Sequence, residues 1–150
     1  VNASVVRMSL GERVLLFLGD IHAAGERALL LSVPDLACDL VKVPHHGSRT
    51  SSTKEFLAAV RPTMAVITVG DGNVYRHPSE EVVERYRRAG SSVFRTDRHG
   101  AVLVRDSPSG WEVQLWSALM LRRISPSAWD GWWTIERENW TRLALRIAEI

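Results

Sequence analysis

Leu40-Val41-Lys42-Val43-Pro44-His45-His46-Gly47-Ser48 is the stretch on which the reading of this chain turns. Leu40, Val41 and Val43 around Lys42 make a compact β run, and Pro44, which lacks a backbone donor, ends it. Two imidazoles therefore stand just past a strand end, followed by a glycine that permits a close approach. Upstream, residues 4–9 and 13–18 read as two strands around the Gly11-Glu12 turn, the second stopping at Gly19-Asp20. Helix formers follow over 22–31, closed by Pro34. Downstream, Ser51 or Ser52 caps a helix that runs to Val60, with Phe56, Leu57 and Val60 at helical spacing. A strand over 64–69, the turn Gly70-Asp71-Gly72-Asn73, a helix from Ser79 to Arg88 and short strands at 92–95, 101–105 and 111–115 complete the pattern. Strands alternating with helices predict a layered α/β (α+β) fold.

The chain has 150 residues, 45% hydrophobic and 24% charged, with 10 Gly and 6 Pro, which suits one globular domain and excludes disorder, collagen and coiled coil. The longest apolar stretches, 14–18 and 28–31, are far shorter than the roughly 20 residues of a membrane-crossing helix. Residues 1–7 lack a basic start with an apolar run, so no targeting segment is expected there. The single cysteine, Cys38, excludes an intrachain disulfide and a multi-cysteine zinc ribbon; beside Leu36, Ala37 and Leu40 it reads as core. The net charge of +2 is modest, but the basic residues are nearly all Arg, which permits a nucleic-acid partner. Composition changes past Trp116. Residues 1–117 are expected to form one domain and 118–150 a Trp- and Arg-rich tail, with Trp129, Trp132, Trp133 and Trp140. In it Trp140, Leu143, Ala144 and Ile147 predict a terminal amphipathic helix.

Three strand-end loops concentrate acid and imidazole: Gly19-Asp20, Pro44 to Ser48, and Asn73-Val74-Tyr75-Arg76-His77-Pro78. In layered α/β folds such loops gather at one sheet edge. Asp20 suits a divalent-metal ligand, although its spacing alone favours a turn or helix cap. His45 and His46 suit a ligand with an orienting neighbour, or two loop histidines. His77, directed by Pro78, suits a general acid or phosphate donor, or a surface hydrogen bond beside Tyr75. Ser48, Thr50, Ser51 and Ser52 can hold phosphate or simply cap a helix. His22, at a helix start, and His99, in an expected Asp97-Arg98-His99-Gly100 turn, need no special role. The tail tryptophans suit base stacking, a membrane interface or packing.

Together with Asn2-Ala3-Ser4-Val5-Val6, Leu15-Leu16-Phe17-Leu18-Gly19-Asp20, Ala65-Val66-Ile67-Thr68-Val69-Gly70 and Arg95-Thr96-Asp97, these loops resemble the second half of a metallo-β-lactamase-fold domain. More closely they resemble the C-terminal hydrolase domain of ComEC-type DNA-uptake channel proteins. The resemblance covers about residues 2 to 105. It implies the second half of an αββα sandwich followed by a Trp-rich tail, with a divalent metal, Zn²⁺ or Mn²⁺, at its edge. It also implies hydrolysis of a phosphodiester, with DNA as substrate. Asp20 and His45 would be metal ligands, and Asp20, His45 and His77 the catalytic set. His46, Ser48, Asn73, Tyr75 and Arg76 would face substrate. The parent would be an inner-membrane protein carrying this domain outside the membrane.

The family's His-x-His-x-Asp-His string does not occur in these residues. The expectation is a first half preceding Val1, with that half or a second copy of the chain as partner and an apolar sheet face left open without it. Asn2 and Ser4 fall where many relatives place another histidine ligand, and Arg76 stands where relatives carry Gly. Two ligands, where a catalytic zinc takes three, predict poor metal affinity and weak or absent activity. Two alternatives accompany this reading. One is a non-catalytic nucleic-acid-binding remnant using Arg49, Arg76 and the tail; the other is a hydrolase of an ester or lactam.

Overall fold

The computed structural model describes residues 3–107 and 110–116; the tail read at 118–150, with its terminal helix, lies outside the described residues. β1 (Val6–Leu10) and β2 (Arg13–Phe17) pair antiparallel. Three strand-to-strand crossovers follow, through α1 (Ala23–Ser32), α2 (Lys54–Val60) and α3 (Glu80–Arg88) to β3 (Leu40–Lys42), β4 (Met64–Ile67) and β5 (Ser92–Arg95). The result is a five-stranded mixed sheet in the order β1-β2-β3-β4-β5, in which β2 to β5 run parallel. A parallel strand needs cover on both faces, which is why Leu15-Leu16, Leu40-Val41 and Met64-Ala65 are apolar at consecutive positions.

One face meets the helices. Leu16, Val41, Ala65 and Ile67 pack there with Phe56, Leu57 and Val60 of α2 and with Val82, Val83 and Tyr86 of α3. Burying these side chains is the main stabilising term, about 1.5–3 kcal/mol for each large aliphatic or aromatic residue. Cys38 is buried on this side, and burial, reinforced by Asp39, pushes its thiol up to about 12, consistent with inert core. The opposite face, with Leu15, Leu40 and Met64, is met by Val104, Trp111 and Val113 of β6 (Ala101–Ser107) and β7 (Gly110–Trp116). This hairpin covers the middle of the face that sequence reasoning left open. What stays exposed lies at the β1–β2 edge: Val6, 53% exposed, beside its cross-strand partner Phe17, and Leu10.

Two local expectations are corrected. α2 is capped by Thr53, whose hydroxyl accepts from the Phe56 N–H at 3.3 Å. Neither Ser51 nor Ser52 caps it, because their hydroxyls turn inward to Pro44 and Tyr86. The turn expected over 97–100 is instead a short helix, α4 (Thr96–His99), that ends at Gly100. No helix among the described residues is long and apolar enough to cross a membrane.

Candidate active site

Because β2, β3 and β4 are parallel neighbours, the loops that leave their C-terminal ends emerge side by side. The His45 N–H donates to the Gly19 carbonyl at 3.0 Å, and the Ser79 N–H to the Gly47 carbonyl at 2.9 Å. His46 Nδ1 lies 2.6 Å from the Thr68 carbonyl oxygen, while its Nε2 lies 3.6 Å from Asp20 Oδ1. The His45 and His77 rings meet edge to face at 5.8 Å, and Tyr75 stacks on His77 at 5.9 Å with 20° between planes. Asp20, His45, His46, Tyr75 and His77 are thus brought to one edge of the sheet.

The histidine loop is held in an uncommon backbone. His45, His46 and Gly47 all have positive φ, at 49°, 52° and 79°, and for a residue with a Cβ this costs roughly 1–2 kcal/mol. Gly47 is required here twice over, since a Cβ would sit 2.6 Å from Cβ of Pro78. The strain persists because other elements clamp the segment. Ser51 Oγ donates to the Pro44 and Ser48 carbonyls at 3.1 and 2.9 Å. Arg85 on α3 donates to the Ser51 and Ser52 carbonyls at 3.2 and 2.9 Å. Glu26 on α1, fully buried, accepts from the backbone N–H groups of Ser52 and Thr53. Sequence reasoning missed Glu26 and Arg85, because a carboxylate or guanidinium in a helical stretch reads as solvated surface until its neighbours are known.

Beside this clamp lies a groove of about 400 Å³, lined by His46, Thr68, Gly70, Asn73, Tyr75 and His77, among others. Asn73 organises its rim: Nδ2 donates to the Gly70 and His77 carbonyls at 3.1 and 2.7 Å, and Oδ1 accepts from the His77 N–H at 2.9 Å. Asn73 therefore shapes the loop that carries the two rings. Arg76 is exposed with φ 55°. Ser48 is only 6% exposed and its hydroxyl faces Thr50 Oγ1 at 3.1 Å, so it does not line this groove. Asp20 borders a second groove, of about 460 Å³, between Ala3, Val5 and the Ala24–Ala28 side of α1.

Partial burial first, and then the neighbouring His45 and His46, hold the His77 imidazole below its usual range. At neutral pH it is an uncharged ring with one donor and one acceptor nitrogen. Lys42, unmarked in the sequence beyond being a cation inside an apolar strand, reaches the Gly19 carbonyl at 3.5 Å. Burial lowers its ammonium, with Asp20 opposing.

A carboxylate and imidazoles are suitable donors for Zn²⁺ or Mn²⁺. The buried Nδ1 of His45 has no hydrogen-bond partner among the described residues, as a ring awaiting another group would. Even so, no group of three His, Cys, Asp or Glu side chains among the described residues could hold an ion. A catalytic zinc takes three protein ligands, so these residues do not by themselves fit a metal.

No protein-family model matches the chain. Competence protein ComA of Neisseria gonorrhoeae is 40% identical over 102 residues, 67% of this chain and 15% of that protein. The chain is similar to competence proteins. ComE operon protein 3 of Bacillus subtilis is 34% identical over 105 residues, 69% of this chain and 14% of its own length. Recombination protein 2 of Haemophilus influenzae is 32% identical over 113 residues, 75% of this chain and 14% of its own. The competence-type match thus spans most of this chain but about one-seventh of each relative.

Proposed function

We propose that this chain serves DNA uptake as part of a ComEC-type competence protein, its loop edge forming one side of a phosphodiester-hydrolysing site of metallo-β-lactamase type. The observation that carries the reading is the meeting of Asp20, His45, His46 and His77 at one sheet edge beside an open groove. Asp20 and His45 contribute two donors to a divalent cation, Zn²⁺ or Mn²⁺, whose remaining donors come from outside the described residues: from the other half of the domain or from a second copy of the chain. The chain's own residues do the rest. Arg76 attracts the phosphate, and uncharged His77 offers it a hydrogen bond or passes a proton. Asn73 keeps His77 and Tyr75 on the groove rim. The parent protein is anchored in the inner membrane with this part outside it.

A second reading, non-catalytic nucleic-acid binding, is favoured by the lack of three converging ligands among the described residues. One experiment separates the two. The purified chain is analysed for metal content and for cleavage of single-stranded DNA with added Mn²⁺ or Zn²⁺, beside Asp20→Ala and His45→Ala. The hydrolase reading expects metal and weak cleavage where two copies of the parent chain complete the site, both lost in each variant. Salt-sensitive binding that survives chelation, with no cleavage, establishes the second reading instead. Absence of any DNA binding overturns both.

A further inference from the structure

Tyr75 is 77% exposed, an unusual position for a large ring. It is not a loose side chain. One face stacks on His77, which in turn meets His45, so three rings lead from the partly buried histidine loop to solvent in steps of 5.8 and 5.9 Å. The backbone beneath is fastened by both ends of the Asn73 amide. The outward face of Tyr75 is therefore a flat, oriented surface at the end of a pre-formed stack, with exposed Arg76 next in the chain and His46 lining the same groove. Planar surface and cationic or hydrogen-bonding groups side by side suit a ligand that is itself a planar ring joined to an anion.

We propose that Tyr75 is a stacking platform for a nucleobase, placed so that the attached phosphate falls towards Arg76 and His77. This rests on the nucleic-acid reading above and deepens it by assigning base recognition to one exposed ring. Stacking on an aromatic side chain is indifferent to base identity, since every base has a π-face. A base within a duplex has both faces covered, so the platform takes bases that are unpaired or at a strand end.

The test compares binding of the full chain to a short oligothymidylate and to a strand of equal length whose sugars are abasic, at one fixed salt concentration. Phosphates are the same in both and only the bases differ. The parent chain is expected to prefer the base-bearing strand about tenfold. Tyr75→Phe should keep that ratio, whereas Tyr75→Ala should reduce it to within about twofold while leaving the salt dependence of binding unchanged. The Asn73 bonds hold the loop without the phenol ring, and a thermal melt of Tyr75→Ala checks that it folds. Equal binding of both strands by the parent chain, or an undiminished ratio in Tyr75→Ala, overturns the platform and leaves the nucleic-acid reading standing. Binding of neither strand overturns the platform and the nucleic-acid reading together.

Discussion

His46 donates from Nδ1 to the Thr68 carbonyl oxygen across 2.6 Å, and that bond determines the chemistry of the ring's other nitrogen. A carbonyl only accepts, so Nδ1 carries the hydrogen, and in the uncharged ring Nε2 is an acceptor. Nε2 faces Asp20 Oδ1 at 3.6 Å. Two acceptors that face each other at this distance, both about half exposed, need a donor between them, which water, a proton or a cation can each supply. The same bond ties the loop after β3 to the loop after β4.

Replacing His46 separates its two roles. His46→Ala removes the bond to Thr68 and keeps a Cβ at φ 52°, so a loss of about 1–2 kcal/mol in urea unfolding is expected. His46→Gly removes the same bond but relieves about 1 kcal/mol of left-handed strain, and should lie close to the parent. Equal destabilisation by the two variants would show that the backbone here is not strained.

Glu26 governs the histidine loop from a distance. Its carboxylate satisfies the N–H groups of Ser52 and Thr53, and Glu26→Gln replaces one accepting oxygen with a donor aimed at a donor. The expected cost is about 2–3 kcal/mol in denaturant unfolding, accompanied by faster hydrogen exchange at those two amides. Unchanged exchange at Ser52 and Thr53 would contradict the clamp.

At the end of β5, Arg95 donates from Nε and Nη2 to the two carboxylate oxygens of Asp97, at 3.0 and 2.6 Å. This pairing holds the Asp97 carboxyl below its ordinary range. A carboxyl depressed in the folded state adds stability above its unfolded value, near 3.9, and that stability is lost as pH falls through the lower folded value. Asp97→Asn should therefore cost about 1–2 kcal/mol at neutral pH, with the gap to the parent closing below about pH 4. A gap that persists at pH 2 would assign the effect to packing.

Much of the site was legible in the chain. Pro44 after an apolar run placed His45 and His46 at a strand end, and the turn residues from Gly70 to Asn73 placed Tyr75 and His77 in a second loop. Other features were not. Thr53, Ser52 and Ser51 are hydroxyls in a row that local reasoning treats alike, yet Thr53 alone caps α2, because Pro44 and Tyr86 engage the other two. The left-handed backbone of His45 and His46 was equally hidden, since local energetics oppose it and the groups that stabilise it stand on α1 and α3.

The sequence by itself determined the kinds of element and their order, because hydrophobic period, proline and glycine act within a few residues. It also determined which loops carry acid and imidazole. Only the tertiary structure decided that His46 faces Asp20 while His45 meets His77, that Ser48 turns away from the groove, and that β6 and β7 cover the second face of the sheet. These outcomes depend on which strands become neighbours and on contacts between residues far apart in the chain. They follow from the packing of the whole sheet, which local periodicity does not encode.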